Sequence, residues 1–453
     1  MIAIFCVGLF FVAPINASAA DDYASDVDII KKMIDDQRAV IPTLFPGVDS
    51  DVPSTWIGFV KWDNSSGEDR VVEIDLENYG LIAPVNLSGL TKLKILNLSN
   101  NASLGSVDVA GTANSKGALT QIDVSNCTFL THLNVANNSL ETLDPSGAVG
   151  LTELYCQNNE LLSIDVTALT QLIEFNCSSN KLQSLNLEYC TNITNLLCSD
   201  NYLSSLDLNA CDDIIELHCE SNMISSLDLS NCLNLVELWC FDNNISSLNL
   251  TNLSLLVKLT CGENPLTKLD VSGLKNLEEL NCYLSQISVL DTNGCDNLTM
   301  YRIYQNPLTS FTTRDGYICT TQTQGPGYGF INGYDLPQRT IFLRAVEKDG
   351  STFINWLPIT PSNTAINYPT LLSDEAGIPD LSKQLTNFVL PYENTTVKAV
   401  FNAKVIGDNS DNENTTNKSP NTGDSSKSIL WLSLIVLAFI GFIISLPKKN
   451  SSN

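Results

Sequence analysis

Histidine is scarce: only His132 and His218 occur in 453 residues. That leaves little for imidazole acid–base catalysis or for a His-rich zinc site. Positive charge is scarce as well, with 24 Lys+Arg against 50 Asp+Glu and a formal net charge of −26. Such a field repels phosphate backbones and anionic headgroups, which argues against nucleic-acid binding and against a polybasic membrane patch. Charged residues make up only 16% of the chain, against about 25% in ordinary soluble proteins, so uncharged Asn, Ser and Thr must carry much of the surface polarity. No pair among the 14 cysteines has C-x-x-C spacing, which removes the common zinc and redox signatures. Long apolar runs are confined to the two ends.

Those ends carry addressing signals. Residues 2–13 form an apolar run too short to span a bilayer, followed by Ala17-Ser18-Ala19, the small-x-small pattern cut by signal peptidase. A secretory signal peptide is expected over 1–19. Residues 429–446 hold no charge and make about 27 Å of helix, with Lys448 and Lys449 behind them as a basic stop. This predicts a transmembrane helix over 429–446 and a basic cytoplasmic tail over 447–453. A flexible polar linker, 403–428, contains Ser419, Pro420, Asn421, Thr422 and Gly423. The arrangement resembles the cell-wall sorting signal of Gram-positive surface proteins, Leu-Pro-x-Thr-Gly. Ser419 replaces the leucine, as in a variant used by some clostridial sortases. The resemblance implies that a sortase cysteine attacks the Thr422 carbonyl, that Gly423 leaves, and that the acyl group passes to a peptidoglycan amine. The membrane would then hold the chain only before processing.

A period of 21 organises the middle. Cys156, Cys177, Cys198, Cys219, Cys240, Cys261 and Cys282 are evenly spaced, with Val135 and Ile303 on the same grid. Three residues later stand Asn138, Asn159, Asn180, Asn201, Asn222, Asn243, Asn264 and Asn306, with Ser285 as the exception. Two residues before each grid point from Val135 to Cys282, and five before, the residue is Leu, Ile or Phe. This is the leucine-rich repeat signature, and it predicts a solenoid over 81–313 with short parallel strands on a concave face and few helices. Alternation at period 2 points Leu and Cys inward, and the Asn amide is suited to satisfying backbone groups in the turn.

Cys127, Cys190, Cys211, Cys232 and Cys295 fall on a second 21-residue grid that also takes Leu169, Leu253 and Leu274. Interchange with leucine marks these thiols as small hydrophobes of the core, unbridged and metal-free. Cys319 is off both grids and is a candidate free thiol. The pattern resembles the cysteine ladder of one internalin subgroup, which shares the 21-residue repeat.

The flanks read as closing modules. Asp26 to Arg38 forms an amphipathic helix with Val27, Ile29, Ile30, Met33 and Ile34 on its apolar side, within an amino-terminal cap over 20–80. A cap is required because the first coil would otherwise expose its apolar edge. Residues 314–402 alternate as strands do, and the order Gly-rich turn, strand, aromatic-x-x-Trp and closing V-x-A-V-F resembles the B-repeat of internalin-like surface proteins. That implies a small β-rich module.

Binding chemistry is expected on the outward strand positions. One column contains Glu153, Glu174, Glu216, Glu237 and Glu279, whose stacked carboxylates should repel by roughly 1 kcal/mol per neighbouring pair. Beside it stand Tyr155, Leu197, His218, Trp239, Phe241 and Tyr283. A mixed acidic–aromatic patch centred on Trp239 suits a basic or glycosylated partner. The whole chain resembles an internalin-family adhesin, and the resemblance implies a cell-wall-anchored protein that binds a protein or glycan, of a host or of another source. The alternative is a structural wall protein with the solenoid as a spacer. No nucleophile–base motif accompanies either histidine, so no catalytic residue, cofactor or metal is expected.

Overall fold

The computed structural model describes residues 17–65, 69–101, 119–335, 340–348, 351–359, 385–389 and 394–402. Most of the expected signal peptide lies outside the described residues, as do the linker with Ser419 to Gly423, the apolar segment 429–446 and the tail. Among the described residues no helix is long and apolar enough to cross a membrane.

A twelve-stranded sheet runs through the solenoid. Its first two strands, Val60–Asp63 and Arg70–Asp75, are antiparallel. From Arg70–Asp75 onward every neighbour is parallel, one three-residue strand per coil from Ile95–Asn97 to Met300–Arg302. The register has no slip: Glu216, Leu217 and His218 face Glu237, Leu238 and Trp239. The same residue type therefore recurs at the same place in space, as the 21-residue period requires. In the regular coils the central residue of each strand is buried and its two neighbours are half-exposed. The step from Ile95–Asn97 to the next strand, His132–Asn134, is longer than 21 residues, and its residues 102–118 lie outside the described ones.

The inward columns form one continuous core. Leu154, Phe175, Leu196, Leu217, Leu238, Leu259 and Leu280 are all fully buried, and so are the cysteines of both grids. Each such Leu or Phe contributes about 1.5–3 kcal/mol by leaving water. All thirteen cysteines from Cys127 to Cys319 are free and buried. Burial pushes their thiols up, to about 12 at Cys156, Cys240 and Cys282 and to about 11 at Cys190, Cys232 and Cys295. Cys319 belongs to this core, opposite Phe311 in an antiparallel pair.

The asparagine column is a hydrogen-bond ladder. Asn180 donates from Nδ2 to the carbonyls of Cys156 in the preceding coil (3.0 Å) and Cys177 in its own (3.1 Å). Its Oδ1 accepts from the Leu161 amide at 3.0 Å. Asn159, Asn201, Asn243 and Asn264 repeat all three bonds. Asn101 does the same work two strands earlier, donating to Leu76 and Leu98 and accepting from Gly80 and Leu81. Its spacing to Asn138 is longer than 21 residues, which takes it off the grid.

Just before each of these asparagines the chain turns left-handed. Asn137, Asn158, Ser179, Asp200, Ser221, Asp242, Glu263, Leu284 and Gln305 have φ between 51° and 58°. Asn and Asp tolerate this region because their short side chains bond locally; leucine does not.

At the amino end, the helix Ala17–Val40 packs Ile30, Met33 and Ile34 into the core, with Val27 and Ile29 partly buried against it. Buried Asp26 takes the Arg70 guanidinium through Nε at 2.9 Å and Nη2 at 3.0 Å, and accepts the Val71 amide at 2.9 Å. Gln37, also buried, bonds Ala83 O at 2.7 Å and the amides of Ile82 and Ala83. At the other end, a second sheet of short parallel strands ends at Ser310–Thr312, which folds back antiparallel onto Ile318–Gln324. The position 313/314 falls in that turn. Thr395–Asn402 then adds parallel to Ile318–Gln324, and Thr352–Ile359 antiparallel to it. Gly327–Asp335, Thr340–Glu347 and Leu385–Val389 form a separate three-stranded antiparallel sheet.

Candidate binding face

The strand face presents the outward residues at positions one and three of each three-residue strand. The expected Glu column is there, but its repulsion is answered by a donor at four of its five members. Glu153 lies 2.9 Å from His132 Nε2 and accepts from Tyr155 Oη at 3.3 Å. Glu174 also accepts from the Tyr155 hydroxyl. Glu216 accepts from Asn195 Nδ2 at 2.8 Å, and Glu237 pairs with Lys258 Nζ at 3.1 Å. With Asn195 and Lys258 standing between the glutamates in the same column, these bonds make it an interlocked polar seam.

The ten expected site residues fall into separate groups along the face. Glu153, Tyr155 and Glu174 make one, with His132. Burial and the two carboxylates push the Tyr155 hydroxyl well above the usual tyrosine range. Leu197, Glu216, His218, Glu237 and Trp239 occupy the next three coils in direct register. His218 stacks on Trp239 with ring centroids 4.4 Å apart and an interplanar angle of 10°. Its Nε2 lies 3.1 Å from Glu216 Oε1 and 3.6 Å from Glu237 Oε1. Phe241 is half-exposed in the next column, beyond Trp239. Tyr283 lies apart, stacked on Tyr304 at 5.2 Å and bonded to Glu263. It sits where Gly262 leaves room, since a Cβ there would meet Tyr283 O at 2.6 Å.

Two features were not read from the sequence. Thr131 Oγ1 lies 2.8 Å from His132 Nδ1, so that histidine does have a hydroxyl partner. The same hydroxyl lies 3.1 Å from the Lys94 carbonyl, to which it can donate. Glu220, in the column of Phe241, has a carboxyl raised to about 7, chiefly by burial, with Asp200 adding to the rise. Its Oε2 is buried and makes no hydrogen bond among the described residues.

The depressions lined by Ala24, Ser25, Asp28, Ile29 and Lys32 and by Pro84, Asn86, Gln121, Asp123 and Thr142 lie away from this face. A flat polar seam with aromatic rings set into it fits a macromolecular surface better than a small molecule, which needs a concave pocket.

No protein-family model and no curated protein matches the sequence. Solved structures similar to the chain include the functional domain of InlJ from Listeria monocytogenes, which includes a cysteine ladder, at 21% identity and a TM-score of 0.39, covering 72% of this chain and 90% of that one. The internalin InlF from Listeria monocytogenes is 19% identical with a TM-score of 0.39, covering 63% of this chain and 90% of that one. YopM from Yersinia enterocolitica is 22% identical with a TM-score of 0.39, covering 49% of this chain and 44% of that one. At these values the likenesses assign no function; the repeat architecture rests on the register and the ladders described above.

Proposed function

We propose that this chain is a non-enzymatic surface protein, secreted and anchored to the cell wall of a Gram-positive bacterium, that binds an extracellular protein or glycan through the strand face of its solenoid. The observation that carries the binding half is the His218–Trp239 stack, half-exposed among carboxylates whose partners are already fixed. Rigid aromatic anchors in a preorganised polar frame lose little entropy on binding. The acidic surround favours a basic or glycosylated partner. The anchoring half rests on the sequence, through Ser419, Pro420, Asn421, Thr422 and Gly423 with the apolar segment and basic tail behind them.

Protein lacking residues 1–19 and 423–453, tested on host cells, mucins and purified cell wall, decides between an adhesin and a structural wall protein. Binding to cells or mucins is the expected result; binding to purified wall alone overturns the adhesin reading. Anchoring is tested separately by Thr422→Ala in the whole chain, which should release the protein from the wall fraction.

A further inference from the structure

We propose that Glu216, His218 and Glu237 form a divalent transition-metal site, best suited to Zn2+, on the strand face beside Trp239. One ligand atom from each, His218 Nε2 and a carboxylate oxygen of Glu216 and of Glu237, lies within 4.8 Å of the other two. Atoms about 2.1 Å from a tetrahedral ion stand about 3.4 Å apart. The two Nε2–Oε1 separations, 3.1 and 3.6 Å, bracket that edge.

A second observation points the same way. His218 Nε2 is a buried atom that makes no hydrogen bond, although two carboxylate oxygens stand beside it. An ordinary ion pair would aim the N–H at one of them. Here, among the described residues, neither oxygen meets the geometry of a hydrogen bond to that nitrogen, close as both are. The far oxygens are already held, Glu216 Oε2 by Asn195 Nδ2 at 2.8 Å and Glu237 Oε2 by Lys258 Nζ at 3.1 Å. Such outer partners orient carboxylate ligands and leave Oε1 of each turned toward His218. Stacking on Trp239 fixes the imidazole plane. One nitrogen and two oxygens suit Zn2+ better than Ca2+ or Mg2+, which prefer all-oxygen shells. With three protein ligands the fourth position is open for water or for a carboxylate or imidazole of a partner.

The site lies inside the proposed binding face but is tested without any partner, so its failure and that of the binding function are separable. Full-length protein freed of metal with a chelator is titrated with Zn2+ alone by calorimetry. One Zn2+ per chain is expected, with Glu216→Gln and His218→Ala each weakening it about tenfold or more. Glu279→Gln, in the same column but outside the cluster, should bind as the unaltered protein does. Thermal melts establish that the variants fold, and the isosteric Glu216→Gln carries the test if His218→Ala does not. Co2+ in place of Zn2+ should give a visible d–d band without a thiolate charge-transfer band. No Zn2+ binding, full binding by Glu216→Gln, or a thiolate band each overturns the assignment.

Discussion

The residue scale shows most clearly where one position departs from its column. Ser285 replaces the ladder asparagine, and its hydroxyl reaches only the Tyr283 carbonyl at 3.5 Å. No amide is there to accept from Leu266 or to donate to Cys261, bonds that every neighbouring coil makes. The residue before it, Leu284, holds φ 51°, a conformation that suits Asn. Ser285→Asn should therefore raise stability by about 1 kcal/mol, and Leu284→Asn should add to it. The converse change, Asn201→Ser, strips a buried amide that bonds Cys177 O, Cys198 O and Leu182 N, and should cost about 2–3 kcal/mol. Denaturant midpoints measured side by side check both signs.

The thiols carry a prediction at the same scale. Burial lifts all thirteen described cysteines far above the pKa at which a thiolate forms, and none is exposed. A thiol reagent at pH 8 should leave these thirteen untouched in the folded protein and modify all of them in denaturant. Rapid native labelling of even one ladder cysteine contradicts the packing described here. Cysteine spacing made the role as core filler legible, because leucine occupies the same grids. The spacing did not reveal the ladder's second function, in which the cysteine carbonyls receive the asparagine amides; that lies in the backbone, not the side chain.

Among elements, the exposed corner of each coil explains part of the acidity. Asp144, Asp165, Asp228 and Asp270 each accept the amide two residues ahead, with a Ser or Thr hydroxyl alongside, and their carboxyls are held below the usual range by those donors. Asn186 and Asn249 make the same turn without charge. A lowered folded pKa stabilises above the unfolded value near 3.8, and that stability is lost as pH falls through the folded value. The solenoid should thus lose stability below about pH 4. Replacing the four aspartates by Asn should flatten that acid limb by removing the contribution the carboxylates make at neutral pH. A melt series from pH 2 to 7 reads this directly.

The amino-terminal helix is joined to the sheet by one buried ion pair. Asp26→Ala removes both bonds from the Arg70 guanidinium, which keeps Asp22 and Thr91, each at 3.1 Å, among its partners, and should cost about 3 kcal/mol. Helical periodicity made Ile30, Met33 and Ile34 legible as the packing face. The partner of Asp26 was not, because Arg70 is distant in sequence and nothing in its local pattern marks it as buried.

For the molecule as a whole, the strand face carries the functional prediction. Trp239→Ala, or charge reversal at Glu216 and Glu237, should weaken binding to the true ligand about tenfold or more. An acidic face also implies that association slows as salt rises. Binding by both variants unchanged from the unaltered protein would remove the face from the function. The sequence placed Trp239, His218 and the glutamates on one side, since outward positions follow from the 21-residue period. It could not show that Tyr283 stands apart with Tyr304, because that depends on the gap left by Gly262.

By itself, the sequence determined the repeat, the strand direction, the inward and outward columns and the core role of the cysteines, because a strict period maps position in the chain onto position in space. Only the tertiary structure decided what the outward residues do to one another. Neighbouring coils stand about 5 Å apart, close enough for a glutamate to find its donor one strand away. Glu216 and Glu237, 21 residues apart, thus meet around His218 Nε2, and a column that reads as repulsion becomes a set of ligands.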